Sequence, residues 1–243
     1  KNHEWLAYSV DGSGAENYEI FIKPMHGQAH TTKIIKSNGE IQWAKDNNIL
    51  FWVERDVNQR PCAVYAKNIH DQLDEPKLIY LEKDPSFFVS VGETDSGNYI
   101  EINIHNHTTN EVWIIPSDKP YDRPMCINKR TSGHEYSIHD HNEDLYILTN
   151  YNNSTDFAVM HTSINKPGCK HWNLVIPHHP GTLILGLRTF SNYLVRLVRE
   201  NALPKIIIRN LIDNSEKVIS FDEEAYSISL MTGHEYKTRS LRF

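Results

Sequence analysis

Serines, histidines and carboxylates are the side chains here that carry chemistry. The nearest approach to a nucleophilic serine is Gly12-Ser13-Gly14. An activated serine of the hydrolase type stands on a strained Gly-x-Ser-x-Gly turn between a strand and a helix, beside a histidine and an acid. Ser13 has the wrong spacing, and its surroundings read as a polar hairpin turn, so it is not assigned as a nucleophile. Among fourteen histidines, His105/His107 and His139/His141 stand two apart and His178-His179 are adjacent. A spacing of two puts both rings of a pair on one face of a strand. A metal needs three or four ligands; no cysteine or carboxylate group completes a set, and the pairs are read as having no neighbouring nucleophile. No catalytic residue, metal or cofactor is therefore assigned.

Cys62, Cys126 and Cys169 are odd in number and lack metal-type spacing. They read as reduced structural thiols, which places the chain in a reducing, cytoplasmic compartment. The formal charge of -6 argues against nucleic acid, which calls for a basic face. No apolar run approaches membrane-spanning length. The chain begins at Lys1 without a signal-peptide pattern, and reads as a piece of something longer.

The elements that position these residues are strands. The run Phe87 to Val91 is aromatic and β-branched, and in Tyr99 to Ile104 three isoleucines alternate with Glu101 and Asn103, the period of a half-buried strand. The pattern recurs. Second strands begin at Leu50, Tyr99, Leu145 and Tyr193, at spacings of 49, 46 and 48 residues. Each is preceded by a first strand and polar turn and followed by a third and fourth strand. Four four-stranded units at this period, with no helical periodicity between them, predict an all-β fold of β-propeller blades. The predicted division is a partial blade at 1–40, blades at 41–82, 83–131, 132–178 and 179–220, and a partial blade at 221–243 in which Ala225 to Leu230 and Ser240 to Phe243 read as strands.

Several stretches then carry a resemblance to a known family: Leu6-Ala7-Tyr8-Ser9-Val10-Asp11, Trp43-Ala44-Lys45-Asp46-Asn47, Glu82 to Val91, and His107-Thr108-Thr109-Asn110-Glu111-Val112. It continues through His134-Glu135-Tyr136-Ser137, Leu174-Val175-Ile176-Pro177-His178 and Phe221-Asp222-Glu223-Glu224-Ala225-Tyr226. In this order and spacing they resemble the propeller of oligopeptidase B (protease II) enzymes, of the prolyl oligopeptidase family of serine peptidases. The resemblance implies an arc of a seven-bladed propeller, joined in the parent chain to a C-terminal α/β-hydrolase domain that holds the catalytic triad. It implies cleavage of short peptides after Arg or Lys, with the propeller capping the active site and limiting substrate size. This chain alone would then be inactive.

In such folds the first strands line the axial tunnel, which nominates Trp43, Phe88, Tyr136, Leu185 and Tyr226. Asp140, Glu143 and Asp144, with Asp222, Glu223 and Glu224, are either solvated turns or an acidic funnel that steers basic peptides. Because strands alternate in direction, fourth-to-first connections share an end with second-to-third loops. The alternative to a peptidase cap is a stand-alone propeller that scaffolds partner proteins.

Overall fold

The structure is a computed structural model that describes residues 3–26, 32–71, 75–231, 233 and 235–243, so Lys1 lies outside the described residues. Four antiparallel sheets account for it. The first has six strands in chain order: β1 (Trp5–Asp11), β2 (Tyr18–Pro24), β3 (Thr32–Trp43), β4 (Ile49–Arg55), β5 (Pro61–Asn68) and β6 (Lys77–Leu81). The second is β7 (Phe88–Glu93), β8 (Tyr99–His105), β9 (Asn110–Pro116) and β10 (Met125–Asn128). The third is β11 (Tyr136–His141), β12 (Asp144–Thr149), β13 (Ala158–Ser163) and β14 (Asn173–Ile176). The fourth is β15 (Thr182–Thr189), β16 (Tyr193–Glu200), β17 (Leu203–Asn210) and β18 (Glu216–Ile219).

Two compact units contain these sheets, one comprising Lys1–Glu93 and Gly97–Ile127, the other Thr94–Ser96 and Asn128–Phe243. In the first unit, Phe51, Val53 and Val64 pack against Val89, Ile100, Ile102 and Ile104 of the next sheet. The isoleucines of β8 are buried and their intervening residues half-buried, as the period-two pattern requires. In the second unit, Leu148 and Val159 meet Ile184, Leu187, Leu194 and Val198.

Turn chemistry closes the hairpins. The Asp46 carboxylate accepts the Asn48 and Ile49 N–H groups, and Asn106 Oδ1 accepts those of Thr108 and Thr109, the local bonding that makes Asx residues turn formers. Second-to-third loops meet fourth-to-first connections, as strand alternation requires. The Arg60 guanidinium donates to the carbonyls of Glu82, Asp84 and Phe87, and the Asp156 carboxylate accepts the Gly181 N–H at 2.8 Å.

Two features differ from the sequence reading. Residues 32–43 form one strand, so the strands on either side of residue 40 share a sheet. β3 bends within that strand: its register with β4 shifts between Ser37 and Ile41, with Lys36 at φ 66° and Gly39 at φ 95°. The second difference is the segment 221–243, which contains no strand among its described residues. A backbone bond just beyond the first of the two stretches, Met231 N–H to Arg242 C=O at 3.3 Å, joins it to the second, and a lone two-stranded ribbon is marginal in water. Ile228, Leu230 and Leu241 instead pack on Phe190, Val195 and Ile206 of the last sheet.

A Cβ at Gly39 would stand 3.0 Å from Cγ of Tyr18 at a φ that L-residues avoid. Gly39→Ala is expected to lower stability by about 1–3 kcal/mol, read as a lower urea midpoint at unchanged slope. An unchanged midpoint would mean that the bend does not depend on glycine.

Candidate functional site

The densest set of chemically capable side chains lies in the second unit, where the turn residues Asp95 and Ser96 meet the ends of β11 and β15. The Asp95 side chain is only 8 % exposed. Its Oδ2 accepts His139 Nδ1–H at 2.8 Å and the Thr189 N–H at 2.8 Å, with the Thr189 oxygen 3.1 Å away, while Oδ1 accepts Arg188 Nη1–H at 2.9 Å. Burial alone would raise the Asp95 pKa. The His139 ring, the Arg188 guanidinium and the Thr189 N–H outweigh it and hold the carboxyl at about 2. Asp95 is therefore an anion at neutral pH.

An ionised acceptor at Nδ1 puts the proton of a neutral His139 on that nitrogen and leaves Nε2 with a lone pair. Ser137 Oγ lies 3.1 Å from that Nε2. The connectivity is serine to histidine to aspartate. The sequence reading missed it, although Ser137 and His139 stand two apart on β11 and hence on one face. Asp95 was absent from that reading because it lies 44 residues upstream of His139. Peptide hydrolysis also needs preorganised donors for the oxyanion. Ser137 lies inside a regular strand, paired with Leu148, with neither an elbow nor a helix start to supply such donors.

Asp140, a candidate for the acidic funnel, is fully buried. Its carboxylate accepts the Ser96 N–H at 3.0 Å and the Ser96 hydroxyl, and its carbonyl accepts the Thr189 hydroxyl at 2.7 Å. That is a correction: hydrogen bonding inside the fold, and not a solvated turn, is what Asp140 does. Glu143 is exposed in the β11–β12 turn, and Asp144 stands 3.2 Å from His161 Nε2. Asp222, Glu223 and Glu224 are exposed after β18. A first-to-second turn and a connection leaving a fourth strand lie at opposite ends of their sheets, because each strand reverses direction. The two acidic groups therefore do not converge on one funnel.

The tunnel candidates also divide. Phe88 is 42% and Leu185 38% exposed. Tyr136 is a correction: it is 4% exposed, its ring packs on His134 and Trp172, and its hydroxyl donates to the Asn128 carbonyl at 2.6 Å. Trp43 is half-buried against the cluster of Leu50 and Trp52, and Tyr226 is half-buried with its ring 5.0 Å from that of Phe221.

A further clasp holds the C-terminal segment in this unit. Burial, with the Asp140 and Asp95 charges, pushes the Tyr236 phenol up to about 12. It remains a donor, and His141 Nδ1 lies 2.6 Å away as acceptor. The Ser191 N–H donates to the Tyr236 carbonyl at 2.9 Å. Among the described residues, no three His, Cys, Asp or Glu side chains are placed to hold a metal, and no helix is long and apolar enough to cross a membrane.

A family model described as the prolyl oligopeptidase N-terminal beta-propeller domain matches residues 1–243. A human protein named prolyl endopeptidase-like is 31% identical over 239 residues, covering 97% of this chain and 33% of its own length. Protease 2 of Moraxella lacunata is 25% identical over 243 residues, covering 99% of this chain and 34% of its own. The structure of oligopeptidase B from Leishmania major aligns at a TM-score of 0.88 and 23% identity, covering 95% of this chain and 34% of that one. Oligopeptidase B from Trypanosoma brucei, with covalently bound antipain in a closed form, gives 0.88 and 23%, covering 99% and 35%. The chain spans about one third of the length of the relatives it matches.

Replacing the Asp95 carboxylate tests the cluster. A carboxyl held at about 2, below its ordinary 3.8, contributes stability that is fully present above about pH 4 and is lost as pH falls toward about 2. Asp95→Asn is expected to cost about 2 kcal/mol at pH 7, and the gap from the parent chain should close across that acid window. A gap unchanged between pH 5 and pH 2 would show that the charge of Asp95 contributes nothing.

Proposed function

The chain belongs to the prolyl oligopeptidase family, as its N-terminal β-propeller domain, and on that premise we propose that it is the non-catalytic propeller of an oligopeptidase B-like serine peptidase. The observation that carries this reading is the match of the propeller family to the whole of residues 1–243, on a chain one third as long as its relatives. The remaining length in those relatives leaves room for a C-terminal α/β-hydrolase domain with its own serine, histidine and acid, and that domain is the principal partner. The parent enzyme cleaves short peptides after Arg or Lys, as the resemblance to oligopeptidase B implies.

The propeller's contribution is selection. Blades at 41–82, 83–131, 132–178 and 179–220, the first of them sharing its sheet with strands before residue 40, form part of a seven-bladed ring whose first strands line the tunnel. The exposure of Phe88 on β7 and Leu185 on β15 supports their place on that wall. The ring admits short or unfolded peptides and excludes folded proteins by size. Cys62 and Cys169 are free thiols, which supports a reducing, cytoplasmic setting. The exposed Asp222, Glu223 and Glu224 provide a local negative field at one end of the last sheet, of the sign that attracts basic peptides.

The test separates chemistry from selection. The purified chain, incubated with short fluorogenic peptides bearing Arg or Lys before the scissile bond, is expected to release no fluorophore. The parent enzyme is expected to cleave those peptides and to spare a folded protein rich in Arg and Lys. Turnover that co-purifies with this chain would overturn the reading of it as a non-catalytic cap, and cleavage of the folded protein by the parent would overturn size selection.

A further inference from the structure

The hydroxyls of the described residues fall into groups. Ser13, Ser86 and Ser215 each donate to a neighbouring aspartate, Asp11, Asp84 and Asp213. A carboxylate alone positions these hydroxyls without an imidazole to take their proton. Thr149 touches His134 Nε2 at 2.9 Å but donates its own proton to the Glu135 carbonyl. Thr155 lies 3.4 Å from His178 Nε2, the same nitrogen that faces Asp156 at 3.7 Å. In none of these does a hydroxyl meet a histidine whose other nitrogen is fixed by an acid.

Ser137 differs. Its oxygen faces His139 Nε2 at 3.1 Å, and His139 Nδ1 faces Asp95 at 2.8 Å. Asp95 is in turn oriented by the Thr189 N–H and by Arg188, which locks the ring's tautomer and plane. Ser137 is half-buried, on the strand that begins its sheet, so one side of β11 carries no further strand of that sheet. We propose that Ser137 and His139, positioned by Asp95, form an acyl- and phosphonyl-accepting site in the propeller wall, open to small electrophiles with good leaving groups and closed to peptides.

The missing oxyanion donors set that limit. An amide needs both a stabilised tetrahedral oxyanion and a protonated leaving amine. A fluorophosphonate needs less. Ser137 Oγ attacks phosphorus, its proton passes to His139 Nε2, the P–O bond forms and the P–F bond breaks. Fluoride departs, and the proton from His139 accompanies it as HF. With an aryl ester, the acyl carbon bonds to Oγ and the phenolate leaves, taking the same proton. In both cases the product is a covalent adduct on Ser137 Oγ, whose hydrolysis would again need the oxyanion donors that a regular strand lacks. The proposal does not depend on the preceding functional reading.

The experiment treats the 243-residue chain with a fluorophosphonate probe at neutral pH and maps the label by peptide mass spectrometry. One label is expected, on Ser137, at a rate about 10²-fold above that of the same serine in urea-unfolded chain, the order a positioned general base supplies. Ser137→Ala should abolish it and His139→Gln should bring it to the unfolded rate, while Ser13→Ala leaves it unchanged. Asp95→Asn should slow labelling by releasing the ring from its fixed tautomer, and Asp95→Glu should restore part of the rate, a recovery that a merely structural role would not give. Labelling no faster than in unfolded chain, or undiminished in His139→Gln, overturns the proposal. Should His139→Gln fail to fold, Ser137→Ala decides, since it keeps the Asp95–His139 pair: a label persisting at the full rate in that variant overturns the assignment. Peptide turnover would count against the cap reading alone, and absent labelling against this site alone.

Discussion

The free edges of the first strands are the constraint on which much else depends. β7, β11 and β15 each end a sheet, so half of their backbone groups have no strand to pair with, and a buried, unpaired amide is costly. Carboxylates meet part of that demand. In the first unit the Glu40 carboxylate accepts the Val91 N–H of β7 at 3.0 Å. In the second, Asp95 accepts the Thr189 N–H of β15, and the Thr189 hydroxyl reaches the Asp140 carbonyl of β11. Side chains thus stand where a further strand would, and they cross-link first strands of neighbouring sheets.

Burying an anion for this purpose is expensive unless donors surround it. Asp95 has three, the Thr189 N–H and two from side chains able to carry positive charge. The buried Arg196 cation meets the reverse need through Glu216, at the exposed end of the pair, with two parallel bonds of 2.8 Å between β16 and β18, the bidentate geometry that arginine favours. Losing the donors of Asp95, or the carboxylate that faces Arg196, leaves a buried charge behind; the first set joins two sheets of the second unit and the second ties strands within one.

The fold was legible where the chemistry is local. Ile100, Ile102 and Ile104 show their burial in their spacing, and Asp46 and Asn106 show their turns by residue type. The repeat near 48 residues followed from strands that recur. What the sequence concealed was long-range and polar. The bend at Gly39 depends on a tyrosine ring 21 positions earlier. The burial of Asp140 depends on Ser96, and that of Asp95 on residues 44 and 93 positions away. Hydrophobic periodicity reports which face is buried; it does not report which polar groups meet at a strand's end. Residues 221–243 misled for the opposite reason, because their local pattern suits a strand but finds no third strand to pair with.

The relay on β11 shows how far a flat strand can go toward catalysis. A spacing of two brings Ser137 and His139 to one face, and a turn 44 residues earlier supplies the acid. An oxyanion site requires something that a regular strand lacks: adjacent N–H groups that converge on one point. In a strand, successive N–H groups point to opposite edges, and those on the inner side of β11 pair with β12. A hydrolase elbow solves this by ending the strand at the nucleophile and starting a helix there. β11 continues through Ser137 to His141, and the same regularity that lets the sheets pack denies the serine its donors. A strand at the edge of a blade can therefore orient a nucleophile and its base without acquiring the donors that cutting a peptide requires.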